Sequence, residues 1–215
     1  MSTAMERTLM RDQAISEFLD ALADRVPAPG GGASAALHAA QAGALLAMVA
    51  RYSDGPKYAE HAESIQRILR AAEDLRAKAL QLAEDDASAF GAVADAYKLP
   101  KDSDEAKQAR SAAIAAALVD AAKPPAEIID VAGQIVDLAE QLLPVGNRNV
   151  VTDIAAATEA ARAAATTARV NVEINLGGIK DELTRKALTE RADVTDEIAR
   201  RAELVTARVR EEIAK

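Results

Sequence analysis

Residues 33–52, ASAALHAAQAGALLAMVARY, decide the fold of this chain. Within them Ala36, Ala40 and Ala44 recur every four residues, which is the spacing of one face of an α-helix. A helix face made of methyl groups lets a neighbouring helix approach closely. We therefore predict that this helix lies at the centre of the molecule, with other helices packed against it.

The composition of the whole chain favours the same class of fold. Of the 215 residues, 53 are Ala, whereas the aromatic residues are 2 Phe, 3 Tyr and no Trp. Ala is the strongest helix former, and large β-sandwiches and barrels depend on β-branched and aromatic residues. We predict an all-α, single-domain helical bundle over residues 1–215, with about seven helices and short connections.

Gly and Pro clusters give the predicted helix boundaries. The predicted helices cover residues 12–24, 33–52, 58–97, 104–123, 125–143, 150–176 and 181–213. Pro124-Pro125 is expected to separate the fourth helix from the fifth, because proline removes a backbone donor from a helix interior. The apolar stripe of the long third helix is expected to run from Ile65 through Phe90 to Tyr97.

Residue counts exclude several classes of function. The chain has no Cys and two His, His38 and His61, so thiolate chemistry is excluded and a multi-histidine metal site is not expected. The formal net charge of −8 argues against a nucleic-acid partner, which requires a basic face. Residues 1–13 lack the apolar core of a secretory signal, and the Ala-rich stretch 33–50 is short for a membrane span. We expect a cytoplasmic protein with no membrane partner.

Asp86 interrupts the apolar stripe of the long helix. It lies four residues after Leu82 and four before Phe90, on the face that the stripe buries. A carboxylate that loses its hydration has a raised pKa, which suits a general acid or base near neutral pH. The alternative is an Asp that pairs with an Arg between helices, and the pattern leaves both interpretations open.

Three glycines precede the central helix, in the segment Pro27-Ala28-Pro29-Gly30-Gly31-Gly32-Ala33-Ser34. Backbone N–H groups stay open at the positive end of a helix, so this segment can hold an anion or a carbonyl oxygen. No Lys-Ser/Thr pair follows the glycines, which excludes a P-loop. The alternative is a tight turn beneath a closely packed helix.

A third set of polar residues lies close to one face of the helix 150–176. Asp153 and Asn171 on that face are about 27 Å apart at 1.5 Å per residue, so one chain cannot place both in one small site. They line a long groove or belong to two sites joined across a symmetry axis. The alternative is a capping role for Asp153 and interhelical hydrogen bonds for Asn171 and Asn175.

Taken together, these segments resemble the cyclodeaminase/cyclohydrolase family of folate enzymes. The order and spacing hold over about residues 13–200, in the segments 18–23 (FLDALA), 27–34, 86–90 (DASAF), 99–101 (LPK), 146–147, 152–153 and 171–176 (NVEINL). One departure is Ala33, which stands between the three glycines and Ser34, where the family usually has Ser directly after the glycines.

The resemblance implies an all-α homodimer that acts on a tetrahydrofolate one-carbon unit, with no metal and no cofactor apart from the folate substrate. Two reactions belong to the family: closure of 5-formiminotetrahydrofolate to 5,10-methenyltetrahydrofolate with release of ammonia, and opening of 5,10-methenyltetrahydrofolate by water to 10-formyltetrahydrofolate. A chain that kept the fold and lost the chemistry would instead be a non-catalytic helical binding or scaffold protein.

The resemblance also implies roles for individual residues. Asp86 matches the position expected to transfer a proton, and the glycine turn with Ser34 is expected to contact the pterin or its one-carbon unit. The other matching positions are basic residues for the glutamate tail and polar residues of the second half: Lys57, Lys101, Arg110, Asn147, Asp153, Asn171 and Asn175.

Overall fold

The structure is a computed structural model that describes residues 9–215. Most of the segment 1–13, from which we expect no secretory signal, lies outside the described residues. Residues 9–215 form no β-strand, which confirms the all-α class, and their helices are α1 (Ile15–Ala23), α2 (Gly31–Tyr52), α3 (Ala62–Lys98), α4 (Asp104–Leu142), α5 (Val151–Leu176), α6 (Glu182–Asp193) and α7 (Thr195–Ile213). Short 3₁₀ helices cover Met10–Asp12, Pro56–His61 and Arg148–Val150.

Helix α2 lies at the centre and packs against α3, α4 and α5, as predicted. A Cβ added at Gly43 would lie 3.0 Å from the Ala72 carbonyl oxygen, so α2 and α3 approach almost backbone to backbone. The buried face includes Ala36 and Ala40, whereas Ala44 is exposed. Within residues 9–215, α2 is also the helix with the length and hydropathy of a membrane span, but 61% of its apolar window is buried in the chain's own core.

The predicted break at Pro124-Pro125 is wrong. Both prolines lie inside α4, and both are buried. Their rings and the apolar side chains that follow them, Ile128 and Ile129, pack into the core. Burial of this face stabilises the helix enough to offset the backbone hydrogen bonds that the prolines remove.

The predicted single last helix is also wrong, because Val194 separates α6 from α7. The buried positions Leu188, Ala192, Ile198 and Ala202 keep helical spacing across the break. No Gly or Pro lies there, so periodicity alone predicts one continuous helix.

Helix α3 has two different halves. From Ile65 to Ala83 its buried side chains form part of the core. Beyond Ala83 the helix leaves the core, and Phe90 and Tyr97 are 50% and 53% exposed. The prediction that the apolar stripe continues through these two residues is therefore wrong, and the second half of α3 instead forms the wall of a cavity.

Candidate active site

A cavity of about 350 Å³ opens where the N-terminus of α2 meets the second half of α3 and the end of α5. It brings together six residues that the sequence singles out, namely Gly30, Gly31, Gly32, Asp86, Asn171 and Asn175. The remaining wall is apolar and comes from Pro27, Ala28, Phe90, Val93, Ala121 and Ile174. A concave apolar site with a few convergent polar groups is the usual form of a small-molecule site.

Asp86 contacts the glycine turn directly. Its carboxylate accepts a hydrogen bond from the backbone N–H of Ala33, in the first turn of α2. The N-cap residue of that helix, Gly30, has no side chain to offer, so a carboxylate from α3 caps α2 in its place. A Cβ added at Gly32 would lie 2.0 Å from Asp86 Oδ1. Glycine at position 32 is therefore what allows Asp86 to reach the helix end.

The pKa of Asp86 is raised from its ordinary 3.8 to about 6. Burial is the dominant cause, because it removes water from the charged form, and the hydrogen bond from Ala33 N–H opposes it. Among residues 9–215, no basic side chain forms an ion pair with Asp86. The alternative in which Asp86 pairs with an interhelical Arg is therefore wrong.

Asn171 and Asn175 supply hydrogen-bond acceptors on the opposite wall. Each side-chain Nδ2 donates to a carbonyl of its own helix, at 2.8 Å to Thr167 O and 2.8 Å to Asn171 O respectively. Each bond uses one of the two N–H donors of the amide and fixes its orientation, so each amide keeps one N–H donor and presents its Oδ1 as an acceptor. Asn171 also lies against the glycine turn, since a Cβ on Gly31 would be 3.5 Å from Asn171 Nδ2.

A second hollow of about 260 Å³ lies nearer the C-terminal end of α3 and has no lining residue in common with the first. Tyr97 lies on one side of it, and Arg110 and Lys180 supply its two positive charges. The Arg110 guanidinium donates to the Tyr97 carbonyl at 3.1 Å and 3.3 Å and lies 5.5 Å from the Tyr97 ring centre. Within residues 9–215 neither cation pairs with a carboxylate, so both remain available to an anion.

A larger hollow, about 710 Å³, lies on the other face of α3 beside Glu84 and Asp85. Asp85 is exposed to solvent, and Glu84 accepts a hydrogen bond from the backbone of Arg11. This hollow holds neither the glycine turn nor Asp86, so the chemistry favours the smaller cavity.

Other predicted residues lie at the opposite end of the bundle. Asn147 donates to the Tyr52 carbonyl at 2.7 Å, and its side chain caps the 3₁₀ helix that follows. Lys57 is exposed in the 3₁₀ helix after α2, 5.4 Å from the Tyr58 ring centre. Asp153 lies in the first turn of α5. The 22 residues of α2 span about 33 Å, so within one chain these three do not reach the Asp86 cavity.

Two further predicted residues lie closer without lining the cavity. Ser34 is half-buried in the first turn of α2, where its N–H donates to Gly30 O at 3.0 Å. Lys101 is exposed in the connection between α3 and α4, at the same end of the bundle as Arg110.

Sequence reasoning missed several residues that line the two hollows, among them Phe90, Ala121 and Lys180. Phe90 follows Asp86 by one helical turn on the same face, and this spacing is the signal that could have placed it in the cavity wall. Ala121 lies three residues before Pro124-Pro125, the pair that is expected from sequence to break the helix. Lys180 carries no local signal.

Comparison with known proteins adds independent information. The sequence profile described as formiminotransferase-cyclodeaminase matches residues 14–194. A methenyltetrahydrofolate cyclohydrolase from Methylorubrum extorquens is 39% identical over 171 residues, which cover 79% of this chain and 82% of the relative. The formimidoyltransferase-cyclodeaminase of Rattus norvegicus is 29% identical over 86% of this chain, which spans only 34% of the rat protein.

A solved structure shares the fold as well as the sequence. The crystal structure of a formiminotetrahydrofolate cyclodeaminase from Thermotoga maritima superimposes with a TM-score of 0.84 at 31% identity. The alignment covers 95% of this chain and 99% of the Thermotoga chain. The whole bundle is therefore common to both proteins.

Proposed function

Since the chain belongs to the formiminotransferase-cyclodeaminase family, we propose that it is a folate enzyme that closes or opens the one-carbon bridge between N5 and N10 of tetrahydrofolate. The observation that carries this proposal is Asp86, a carboxyl with a pKa raised to about 6 at the end of a helix and inside a cavity. A carboxyl poised near neutral pH is the group that both reactions require.

The two reactions share a tetrahedral carbon that bridges N5 and N10. In ring opening, water adds to the methenyl carbon and loses a proton to Asp86. Asp86 then returns that proton to N5 as the bond from the carbon to N5 breaks, and the hydroxyl loses its own proton to solvent to leave the 10-formyl product. In ring closure, N10 attacks the formimino carbon and its proton passes to the imino nitrogen, and Asp86 then gives a further proton to the resulting amino group, which leaves as ammonia. With a pKa of about 6, Asp86 is mostly ionised at neutral pH and still exchanges a proton readily. This mechanism uses no metal and no organic cofactor.

The glycine turn supports the proposal through its backbone. Gly31 and Gly32 begin α2, and the first N–H groups of a helix have no partner within it. With no side chains in the way, these N–H groups can donate to an oxygen of the pterin or to the hydroxyl that forms on the tetrahedral carbon. Asp86 beside them attracts the positive charge of the methenyl ring.

The second hollow fits the glutamate tail of the substrate. Asp86 and Tyr97 are eleven residues apart on α3, which corresponds to about 16 Å. That separation is comparable to the aminobenzoyl-glutamate part of a folate. Arg110 and Lys180 then meet the tail carboxylates, which they must attract locally because the chain as a whole carries a net charge of −8.

Two assays of the same purified protein test the proposal. Loss of the 5,10-methenyltetrahydrofolate chromophore faster than in buffer supports ring opening, and ammonia released from 5-formiminotetrahydrofolate supports ring closure. Activity in either assay is the expected result. Silence in both, with a folded protein, would favour the non-catalytic binding or scaffold protein.

We also propose that the chain forms a homodimer. Phe90, Val170 and Ile174 are each at least 50% exposed, which leaves apolar surface on α3 and α5 near the cavity. Pairing would cover this surface and bring residues of a second copy towards the site. Light scattering at micromolar concentration should give twice the chain mass of 22.5 kDa, and a monomer would contradict the proposal.

A further inference from the structure

The double proline inside α4 leaves one backbone carbonyl without a donor. In an α-helix the carbonyl of residue i accepts from the N–H of residue i+4, or from residue i+3 where the helix tightens. For Ala121 these two residues are Pro125 and Pro124, and neither has an N–H. The next N–H, that of Ala126, is the regular partner of Ala122. Ala121 is the α4 residue whose carbonyl loses both donors.

The rest of the molecule does not supply a replacement. Within residues 9–215 no side chain donates to the Ala121 carbonyl, although Ala121 is only 8% exposed. A buried carbonyl without a partner is costly, and most such groups in native proteins are paired. The Ala121 carbonyl is therefore an acceptor that a ligand in the cavity can use.

The position of this carbonyl places it at the cavity. Ala121 is the residue of α4 that lines the Asp86 cavity. Helices α3 and α4 run antiparallel, since Arg110 contacts Tyr97 whereas Glu127 pairs with Lys78. Carbonyls point towards the C-terminal end of their helix, so the Ala121 carbonyl points along α3 from the level of Phe90 towards that of Asp86.

We infer that the Ala121 carbonyl binds an N–H donor of the substrate, and that the double proline is there to keep this acceptor free. The inference rests on the proposed function, because the tetrahydropterin ring supplies the donors: its 2-amino group, N3–H and N8–H. Together with Asn171 Oδ1 and Asn175 Oδ1, the carbonyl gives the cavity three neutral acceptors beside the donor groups of the glycine turn. These acceptors position the ring and leave proton transfer to Asp86.

Two single substitutions isolate the carbonyl. Pro125→Ala restores an N–H that donates to Ala121, whereas Pro124→Ala restores one that donates to Asp120, an exposed residue outside the cavity. Both substitutions remove one buried proline ring and both improve helix propensity, so in regular i+4 geometry they differ in which carbonyl becomes occupied.

The test is steady-state kinetics of both variants with whichever folate the wild-type protein turns over, together with their melting temperatures. We expect KM of Pro125→Ala to rise about fivefold, the factor that one neutral hydrogen bond contributes, with kcat within twofold of wild type. Pro124→Ala should keep the wild-type KM. Slow hydrogen exchange at the new amide of residue 125 would confirm that it occupies the carbonyl.

Each other outcome overturns a specific statement. An unchanged KM in both variants, or an equal rise in both, would overturn the role of the carbonyl while the proposed function stands. Fast hydrogen exchange of the residue 125 amide in Pro125→Ala would contradict the hydrogen bond from this amide to the Ala121 carbonyl. No turnover of either folate by the wild-type protein would overturn the proposed function, and this inference with it.

Discussion

The two halves of α3 each hold a carboxyl, and the two carboxyls have opposite pKa shifts. In the first half, Glu73 accepts from Arg76 at 2.5 Å and pairs with Arg51 at 2.7 Å, and these two cations hold its pKa below the ordinary range. In the second half, Asp86 has no cation beside it within residues 9–215, and burial raises its pKa to about 6. One helix thus carries a carboxyl whose charged form is favoured by neighbouring cations and a carboxyl whose charged form is disfavoured by burial.

The difference comes from what surrounds each half. The first half packs its apolar face into the core and leaves Glu73 at the rim, where long basic side chains reach it. The second half has left the core, and Asp86 there lies at a cavity lined by the glycine turn, the two Asn of α5 and the ring of Phe90. Environment, and not residue type, decides which carboxyl can exchange a proton near neutral pH.

The largest expected effect comes from Asp86→Asn. Asn has nearly the same shape and still accepts from Ala33 N–H, but it cannot transfer a proton. We expect kcat to fall by about 10²–10⁴-fold with the fold preserved. Glu73→Gln is the matched control in the first half, and it should leave kcat within about twofold. An active Asp86→Asn protein would remove Asp86 from the mechanism.

If Asp86→Asn stays active, Asp153 and Asp181 are the next candidates for the proton-transfer group, and Asp181 has a visible structural role. It is the N-cap of α6, where it accepts from Thr184 N–H at 2.7 Å, and hydrogen bonds from the Thr184 side chain and backbone lower its pKa. Asp153 lies in the first turn of α5, where a negative charge favours the helix dipole.

Gly32→Ala tests the contact that makes the second half of α3 different. The new Cβ would lie 2.0 Å from Asp86 Oδ1, so the short side chain of Asp86 must rotate away from α2. We expect a loss of kcat of roughly tenfold or more while the helices stay intact by circular dichroism, since a small misplacement of a reacting group is costly.

Gly91→Ala is the control for that substitution. A Cβ at Gly91 meets nothing within 4 Å, and the residue sits one position after Phe90 on the same helix. It should keep full activity and gain up to about 1 kcal/mol of stability. Equal activities of the two variants would contradict the role of Gly32.

The free energy of unfolding should depend on pH in opposite directions for Asp86 and Glu73. The raised pKa of Asp86 lets the folded state hold its proton longer than the unfolded state, so wild-type stability falls as pH rises from about 4 to about 6. Asp86→Asn removes this loss and should be more stable than wild type at pH 7 by about 3 kcal/mol, and not at pH 4.

The contribution of Glu73 to stability depends on pH in the opposite direction. Its pKa is lowered in the folded state, so its stabilisation is present above the ordinary pKa of 4.5 and is lost as pH falls below it. Glu73→Gln should therefore be less stable than wild type at pH 7 and converge with it in acid. Urea unfolding of wild type and both variants at several pH values measures these differences in the free energy of unfolding. Differences from wild type that do not change with pH would contradict the opposite pKa shifts of the two carboxyls.

The smallest expected effect concerns the hollow beside Tyr97, at the C-terminal end of α3. Arg110→Ala and Lys180→Ala should each raise KM by a few-fold and leave kcat nearly unchanged, with a larger effect for polyglutamylated folate than for the monoglutamate. Lys57→Ala is the control, because Lys57 lies at the opposite end of α2 and does not reach this hollow within one chain. Equal effects on the two substrates would exclude Arg110 and Lys180 as tail contacts.

Much of the fold follows from local pattern. Helical periodicity and the Gly and Pro residues at helix boundaries predict the ends of α2 and α5 to within two residues, because neighbouring residues determine where these helices end. The prediction fails where tertiary burial overrides a local rule, as at Pro124-Pro125, and where a break carries no punctuation, as at Val194. Sequence alone also cannot show that α3 leaves the core after Ala83, since helical spacing continues through Phe90.

The site is predictable only in part. Asp86 and the glycine turn have local signals, namely a charge on an apolar stripe and three consecutive glycines, and the structure places them in contact. Lys57 and Asp153 look equivalent in sequence to residues of the cavity, yet the length of α2 separates them from it. Which end of a bundle a loop occupies depends on how the helices pack, and no local pattern contains that information.

The central claim is that Asp86 is a carboxyl whose raised pKa comes from burial beside the end of α2. The most direct test follows the carboxyl carbon of Asp86 by ¹³C NMR between pH 3 and pH 8, with Asp86→Asn to assign the signal. The account predicts a titration midpoint of about 6, shared with the pH dependence of kcat/KM. A midpoint at or below the ordinary 3.8 would contradict it, because a carboxyl ionised like a solvated Asp holds no proton to give.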